Sequence, residues 1–168
     1  MFLDESGVNI DMTRRYGRSL SNKRTVDNAP LNTPTTTTVL SSIRVNGEMA
    51  YTTYMGGTTA ERFKDYLEKV LLPTLDENVV IVMDNMRSHH AKDVISFLNE
   101  RGVKYVYLPP YSPDLNPIEK LWSKLKAILR KLKVRTLEKL PAAIALAFRS
   151  VCISDCQGWF RSCGICVN

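Results

Sequence analysis

Residues 79–83 read Val-Val-Ile-Val-Met, an unbroken apolar run that stops at Asp84 and Asn85. A short β-branched run without alternation is a strand covered on both faces. Such strands sit in parallel or mixed sheets between layers of helix, so this run points to an α/β architecture. It also ends on a charge. Asp84 either caps the turn that follows or holds a cation at the carboxyl edge of the sheet, where open α/β sheets place their sites.

The flanking sequence supplies the other layers. Residues 1–10 begin as a strand, with Asp4 expected near its end. Residues 11–34, with Gly17, Pro30 and Pro34, predict a loop or hairpin. Residues 35–55 predict two antiparallel strands around Asn46-Gly47, a dipeptide that favours tight hairpins. Thr58 and Glu61 fit a capping box before a helix with Phe63, Tyr66, Leu67, Val70 and Leu71 on one face, closed by Pro73. Ala91, Val94, Ile95 and Leu98 mark a second helix, stopped by Gly102. Residues 104–109 form a short strand, and residues 109–117 a proline-rich loop. A long helix with Ile118, Leu121, Trp122, Leu125, Leu129 and Leu132 in register follows, then a last helix over about 137–151. The expected fold is a mixed sheet with three antiparallel-type strands first and helices on both faces, in one domain spanning 1–168.

Charge and cysteines narrow the function. The net charge is +6, and a basic balance favours nucleic acid as a partner. The basic residues cluster: Lys120, Lys124, Lys126, Arg130 and Lys131 on the long helix, and Arg14 and Arg15 near the start. A solvated helix face is the plain alternative for such a run. No apolar run reaches the ~20 residues of a membrane span, and no leader precedes Asp4, so a cytoplasmic location is expected. Cys152, Cys156, Cys163 and Cys166 are expected to be reduced structural thiols. A zinc site would need longer spacing between the two pairs.

Three acids are candidates for chemistry. Asp4 and Asp84 meet if their strands are central and parallel, and adjacent carboxylates repel unless a proton or a cation lies between them. A hard divalent ion suits such oxygen ligands. Glu119 sits on the first turn of the long helix, after Asn116 and Pro117. A capping box would explain that spacing, but the same turn can overhang the sheet edge. Side chains alternate along a strand, so only one of Asp4 and Glu5 can face the site.

The segments "FLDESG", "VMDNMRSHH" and "YLPPYSPDLNPIEKLWSKLK", with the tail "DCQGWFRSCG", resemble the catalytic core of transposases of the mariner superfamily, in its bacterial insertion-sequence branch. The resemblance implies an RNase H-like fold and a catalytic, metal-binding triad of two aspartates and a third acid. By motif these are Asp4, Asp84 and Glu119, with 34 residues between the last two. It implies two Mg²⁺ or Mn²⁺ ions and no small-molecule cofactor. The partners would be transposon-end and target DNA, and a homodimer would form in the synaptic complex at the nucleoid. Asn85, with His89 or His90, matches an auxiliary stretch; taken by themselves the two histidines, which could bind metal or phosphate, read as a polar turn before the second helix. The basic residues would contact phosphates. Upstream helix-turn-helix domains, usual in that family, are absent from this chain, which would make it a frameshift product, a decayed copy or a truncated form. The rival readings are an RNase H-like nuclease or resolvase without strand transfer, and an inactive fragment that only binds DNA.

Overall fold

A computed structural model describes residues 1–31 and 35–166; Pro34, one of the loop-marking prolines, lies outside the described residues. Five strands form one mixed sheet: β1 (Phe2–Val8), β2 (Thr37–Ile43), β3 (Met49–Met55), β4 (Val80–Met83) and β5 (Lys104–Tyr107). Their order is β3-β2-β1-β4-β5. β1 pairs antiparallel with β2, and β2 with β3, while β4 runs parallel to both β1 and β5. The β2–β3 turn is the Asn46-Gly47 turn expected from sequence, with Gly47 at φ 90°, a conformation that favours glycine.

Helices cover both faces. On one side lie α1 (Ala60–Tyr66), which runs on through a π-helical turn at Leu67–Leu71 and a 3₁₀ turn at Leu72–Thr74, and α2 (Lys92–Glu100). Their buried residues Phe63, Tyr66, Leu67, Leu71, Val94 and Leu98 pack on Leu3, Leu40, Ile81 and Met83. On the other side lie α3 (Ile118–Leu132), α4 (Leu140–Arg149) and α5 (Ile153–Ser162). There Leu121, Trp122, Leu125, Ile144, Phe148 and Phe160 pack on Phe2, Val8, Val39 and Ile43. The alternation of β1 therefore splits adjacent residues between two cores, Phe2 to one and Leu3 to the other.

Four expectations need correction. Asp4 is not at the end of its strand. β2 supplies antiparallel partners to Glu5 through Val8, so β1 continues four residues beyond Asp4. Thr59, not Thr58, caps α1: its side chain accepts from the Arg62 N–H at 3.2 Å, while the Thr58 hydroxyl bonds the Tyr54 hydroxyl. Leu132 is 41% exposed, beyond the buried stripe of α3. The tail is also helical. α5 begins at a capping box made by Cys152 and Asp155, an unusual N-cap residue that conceals the start in sequence.

The four cysteines are free and scattered. Cys156 is core, Cys152 and Cys166 are exposed, and Cys163 lies between. Residues 9–31 form no strand or helix. Arg135 ties down this segment, donating to the carbonyls of Ile10 and Met12 at 2.9 Å and of Asn28 at 3.2 Å.

The packing of α5 predicts that the tail is integral to the fold. The Phe160 ring meets Phe2 edge-on, with centroids 5.5 Å apart. Phe160→Ala should destabilise the protein by about 3–5 kcal/mol in denaturant unfolding. A loss below about 1 kcal/mol would mean that the sheet does not need α5.

Candidate active site

The pairing register brings two of the acids together. β1 and β4 share two rungs, Phe2 with Val82 and Leu3 with Met83. The next residues in that register are Asp4 and Asp84. β4 ends there, and β1 turns away with β2 alone, so the strands part beside the two carboxylates. Both line a cavity of about 410 Å³ at this edge, together with Asn85, Met86, residues 108–113, Asn116 and Glu119. The three acids singled out by sequence therefore face one space.

Glu119 arrives from the first turn of α3, and the capping reading fails there. Asn116 caps with its backbone only, accepting from the Glu119 N–H at 3.1 Å, while its own N–H donates to Pro113. No side chain caps the helix. Among the described residues the Glu119 carboxylate has no partner, and it is exposed toward the cavity.

Asp4 and Asp84 sit in opposite electrostatic states. Asp4 is 7% exposed. Its oxygens accept from the Glu5 N–H at 2.7 Å and from the Trp122 indole N–H at 3.2 Å. Burial, reinforced by the charges of Asp84 and Glu5, outweighs these bonds and pushes its carboxyl up to about 7. Burial also opposes charge on Asp84. There the hydrogen bond and charge of His89 win, holding the carboxyl below its usual range.

His89 is the part of the site that sequence placed least well. A polar turn was the expectation for both histidines. Instead His89 is fully buried against the Phe63 ring, 4.2 Å between centroids. Its Nδ1 lies 2.8 Å from Asp84 Oδ1 and its Nε2 3.2 Å from Glu5. Glu5 thus faces away from Asp4, as strand alternation requires, and meets Asp84 from behind through the imidazole. Burial disfavours the cation, but the bonds to Asp84 and Glu5 raise its pKa to about 9. The ligand atoms of Glu5, Asp84 and His89 lie within 4.8 Å of one another, close enough to suggest a metal site. The raised pKa favours the imidazole that donates from both nitrogens, a form with no lone pair to offer a metal. His90 sits outside, stacked on Tyr107 and bonded to Asn85 Oδ1 at 3.1 Å. The Asn85 amide in turn donates to the Leu108 carbonyl.

The basic residues divide. Arg14, Arg15, Arg130 and Lys131 line one groove of about 470 Å³ with Tyr16 and Ala127, so the two sequence clusters meet in space. Lys120 is exposed and Lys126 half-buried on α3. The Lys124 ammonium pairs with Asp155 at the start of α5 and acts as a structural tie.

Residues 1–141 match the family model described as DDE superfamily endonuclease. The Transposable element Tcb1 transposase of Caenorhabditis briggsae is 29% identical over 104 residues, covering 60% of this chain and 38% of the relative. The Tcb2 transposase of the same organism is 32% identical over 75 residues, 42% and 28% of the two chains. The fold superposes on the pre-cleavage Mos1 transpososome with TM-score 0.80 at 18% identity, covering 96% of this chain and 52% of that one. For the Mos1 transposase catalytic domain with Raltegravir and Mg the values are 0.72 and 18%, covering 96% and 76%. The chain thus spans about two fifths of the Tcb1 relative and half of the transpososome chain, and it shares the Mos1 catalytic-domain fold, which is RNase H-like.

His89 gives the site a signature in pH. Its pKa is raised above the usual 6.5, so its charge stabilises the fold fully below about pH 6.5, and that contribution is lost as pH rises through about 9. The metal-free protein should therefore melt at falling temperature between pH 7 and 10. His89→Gln should start lower and change less over the same range. Parallel curves would show that His89 is neutral in the fold.

Proposed function

The chain belongs to the DDE superfamily endonucleases, and from that premise we propose that it is the catalytic domain of a transposase that cuts DNA at transposon ends and joins the freed end to target DNA. The observation that carries this reading is the meeting of Asp4, Asp84 and Glu119 on one cavity at the carboxyl edge of β1 and β4. The motifs favour the bacterial insertion-sequence branch. Residues 1–168 are read as the catalytic domain of that transposase.

The donor set fits a hard divalent cation. All three side chains offer oxygens, and Asn116 Oδ1 beside them is buried without a partner. The burial that lifts Asp4 toward a neutral form marks a place where positive charge is wanted. Mos1 paired-end complexes with Mn and with Mg support the same choice. We infer Mg²⁺ or Mn²⁺, two ions, with Asp4, Asp84 and Glu119 as ligands. Bound ions would polarise the phosphodiester and generate the nucleophile, water first and a 3′-hydroxyl later.

The chain's own residues do the positioning. His89 locks Asp84 as a charged acceptor, Trp122 orients Asp4, and α3 presents Glu119 across the cavity. The groove of Arg14, Arg15, Arg130 and Lys131 would take the DNA backbone without reading bases. The partners are transposon-end and target DNA, and a second copy of the chain in a synaptic dimer. Among the described residues no helix is long and apolar enough to cross a membrane, and action on DNA suits a protein at the nucleoid.

The test is a nicking and joining assay on purified protein with Mg²⁺ or Mn²⁺. Asp84→Asn and Glu119→Gln should cut at least about 10³-fold more slowly while circular dichroism stays unchanged, and Asp114→Asn, in the 3₁₀ turn Pro113–Leu115 and outside the cavity lining, should cut like the parent. Nicking without joining of a pre-cut 3′ end would favour a simple nuclease. Undiminished cutting by Glu119→Gln would remove it from the triad. Because Asp4 must give up a proton that it holds up to about pH 7, Mn²⁺ affinity, read as a melting shift, should strengthen as pH rises through 7.

DNA binding should weaken steeply with salt. Neutralising Arg14, Arg15, Arg130 and Lys131 together should flatten the log–log salt slope by about 3–4. An unchanged slope would put the backbone contacts elsewhere.

A further inference from the structure

The backbone rungs between β1 and β4 stop at Leu3 with Met83, one residue before the two aspartates. Beyond that step no ladder bond between these strands fixes how far apart Asp4 and Asp84 lie. A small divalent cation needs that distance fixed. Mg²⁺ demands near-ideal geometry at about 2.0–2.1 Å, whereas Ca²⁺ accepts irregular oxygen ligands at about 2.3–2.6 Å. Something other than the ladder must hold the acids in place.

Glu5 grips both. Its backbone N–H donates to Asp4 Oδ1 at 2.7 Å. Its carboxylate lies on the other face of β1, where Oε1 is 3.2 Å from His89 Nε2. The same ring places its Nδ1 2.8 Å from Asp84 Oδ1. That ring has little freedom: it is fully buried against Phe63, and the His89 carbonyl accepts from the Tyr107 hydroxyl at 2.9 Å. Stability does not explain Glu5. Its side chain is only 6% exposed, and Oε2 is buried without a hydrogen bond. The tyrosines near it are engaged elsewhere, Tyr66 with the Ala50 carbonyl and Tyr54 with the Thr58 hydroxyl. A buried carboxylate with one bare oxygen costs stability that an apolar residue of similar size would not. What Glu5 holds accounts for its place better than what it stabilises.

We propose that Glu5 and His89 form a side-chain rung in place of the missing backbone one, and that this rung sets the spacing of Asp4 and Asp84 so that the site selects Mg²⁺ or Mn²⁺ over Ca²⁺. The rung rests on the reading of Asp4 and Asp84 as metal ligands. Glu5 is a positioning residue: it acts on Asp4 through its own N–H and on Asp84 through the imidazole. The ring and the Met86 N–H both hold Asp84 Oδ1, which leaves Oδ2 for an ion. Partners that stand behind ligands in this way are worth about 10- to 100-fold in metal affinity. Reach matters here more than charge. A Gln side chain brings an acceptor oxygen to the same distance from Nε2, whereas Asp keeps the charge but falls one methylene short.

The test is Mn²⁺ binding to the purified protein, read by electron paramagnetic resonance, with Mg²⁺ and Ca²⁺ as competitors; it needs neither DNA nor cutting. Glu5→Asp should weaken Mn²⁺ and Mg²⁺ by about 10- to 100-fold and Ca²⁺ by less than about threefold. Glu5→Gln should stay within about fivefold of the parent for all three ions. If circular dichroism shows that Glu5→Asp does not fold, His89→Gln takes its place: an amide cannot donate to both acids from opposite sides, so it should lose Mg²⁺ against Ca²⁺ in the same way. Equal loss of all three ions, a Gln variant no better than the Asp variant, or a Glu5→Asp protein that binds Mg²⁺ like the parent overturns the rung. Asp84→Asn keeps the two conclusions apart. Mn²⁺ binding that survives it refutes Asp84 as a ligand, and the metal reading of the site with it. Binding lost there but unchanged in Glu5→Asp strikes the rung alone.

Discussion

Two rungs of parallel pairing, Phe2 with Val82 and Leu3 with Met83, organise this protein. They bring the N-terminal strand beside the central strand, and they stop at the step where both chains carry an aspartate. Had the pairing run further, Asp4 and Asp84 would be locked into a closed ladder under helices, with no room for a ligand. Had it been absent, the antiparallel half of the sheet, β1 to β3, would have no backbone pairing with the parallel half. The short register joins the two halves and opens the cleft at the same point.

The two aspartates share a place but not an environment. Asp84 is backed by the buried His89 ring, whose cationic form is favoured by the two acids that flank it, Asp84 on one side and Glu5 on the other. Asp4 faces the opposite core and receives only neutral donors, a backbone N–H and an indole. The surroundings therefore favour the charged form of Asp84 and the neutral form of Asp4. A pair tuned in this way can stand close together without a bound ion, which two bare anions could do only at the cost of mutual repulsion.

Much of this was legible in the sequence. The apolar run before Asp84 identified a buried parallel strand, Asn46-Gly47 marked the hairpin, and the stripe from Ile118 to Leu129 marked the long helix. These are local patterns, and local patterns are what a sequence displays. The rest depended on partners far along the chain. That β1 outlasts Asp4 follows from β2, more than thirty residues later. His89 and His90 are neighbours of equal chemistry, and only the positions of Phe63 and Glu5 decide which one is buried. Glu119 looked like a capping residue because Asn116 and Pro117 precede it, yet the cap is made by backbone alone. Lys124 looked like its basic neighbours until Asp155, at the start of an unforeseen helix, claimed it.

α3 carries Glu119 on its first turn and Arg130 on its last. Eleven residues of α-helix separate them, roughly 16 Å at 1.5 Å per residue. That length is about five base-pair steps of B-form DNA at 3.4 Å each. Laid beside DNA, the helix would act as a ruler as well as a wall of the core, its middle held by Trp122, Leu125 and the Lys124 tie. A duplex lying along it would meet the basic groove half a helical turn from the acids, so that one end of α3 would face a major groove and the other a minor groove.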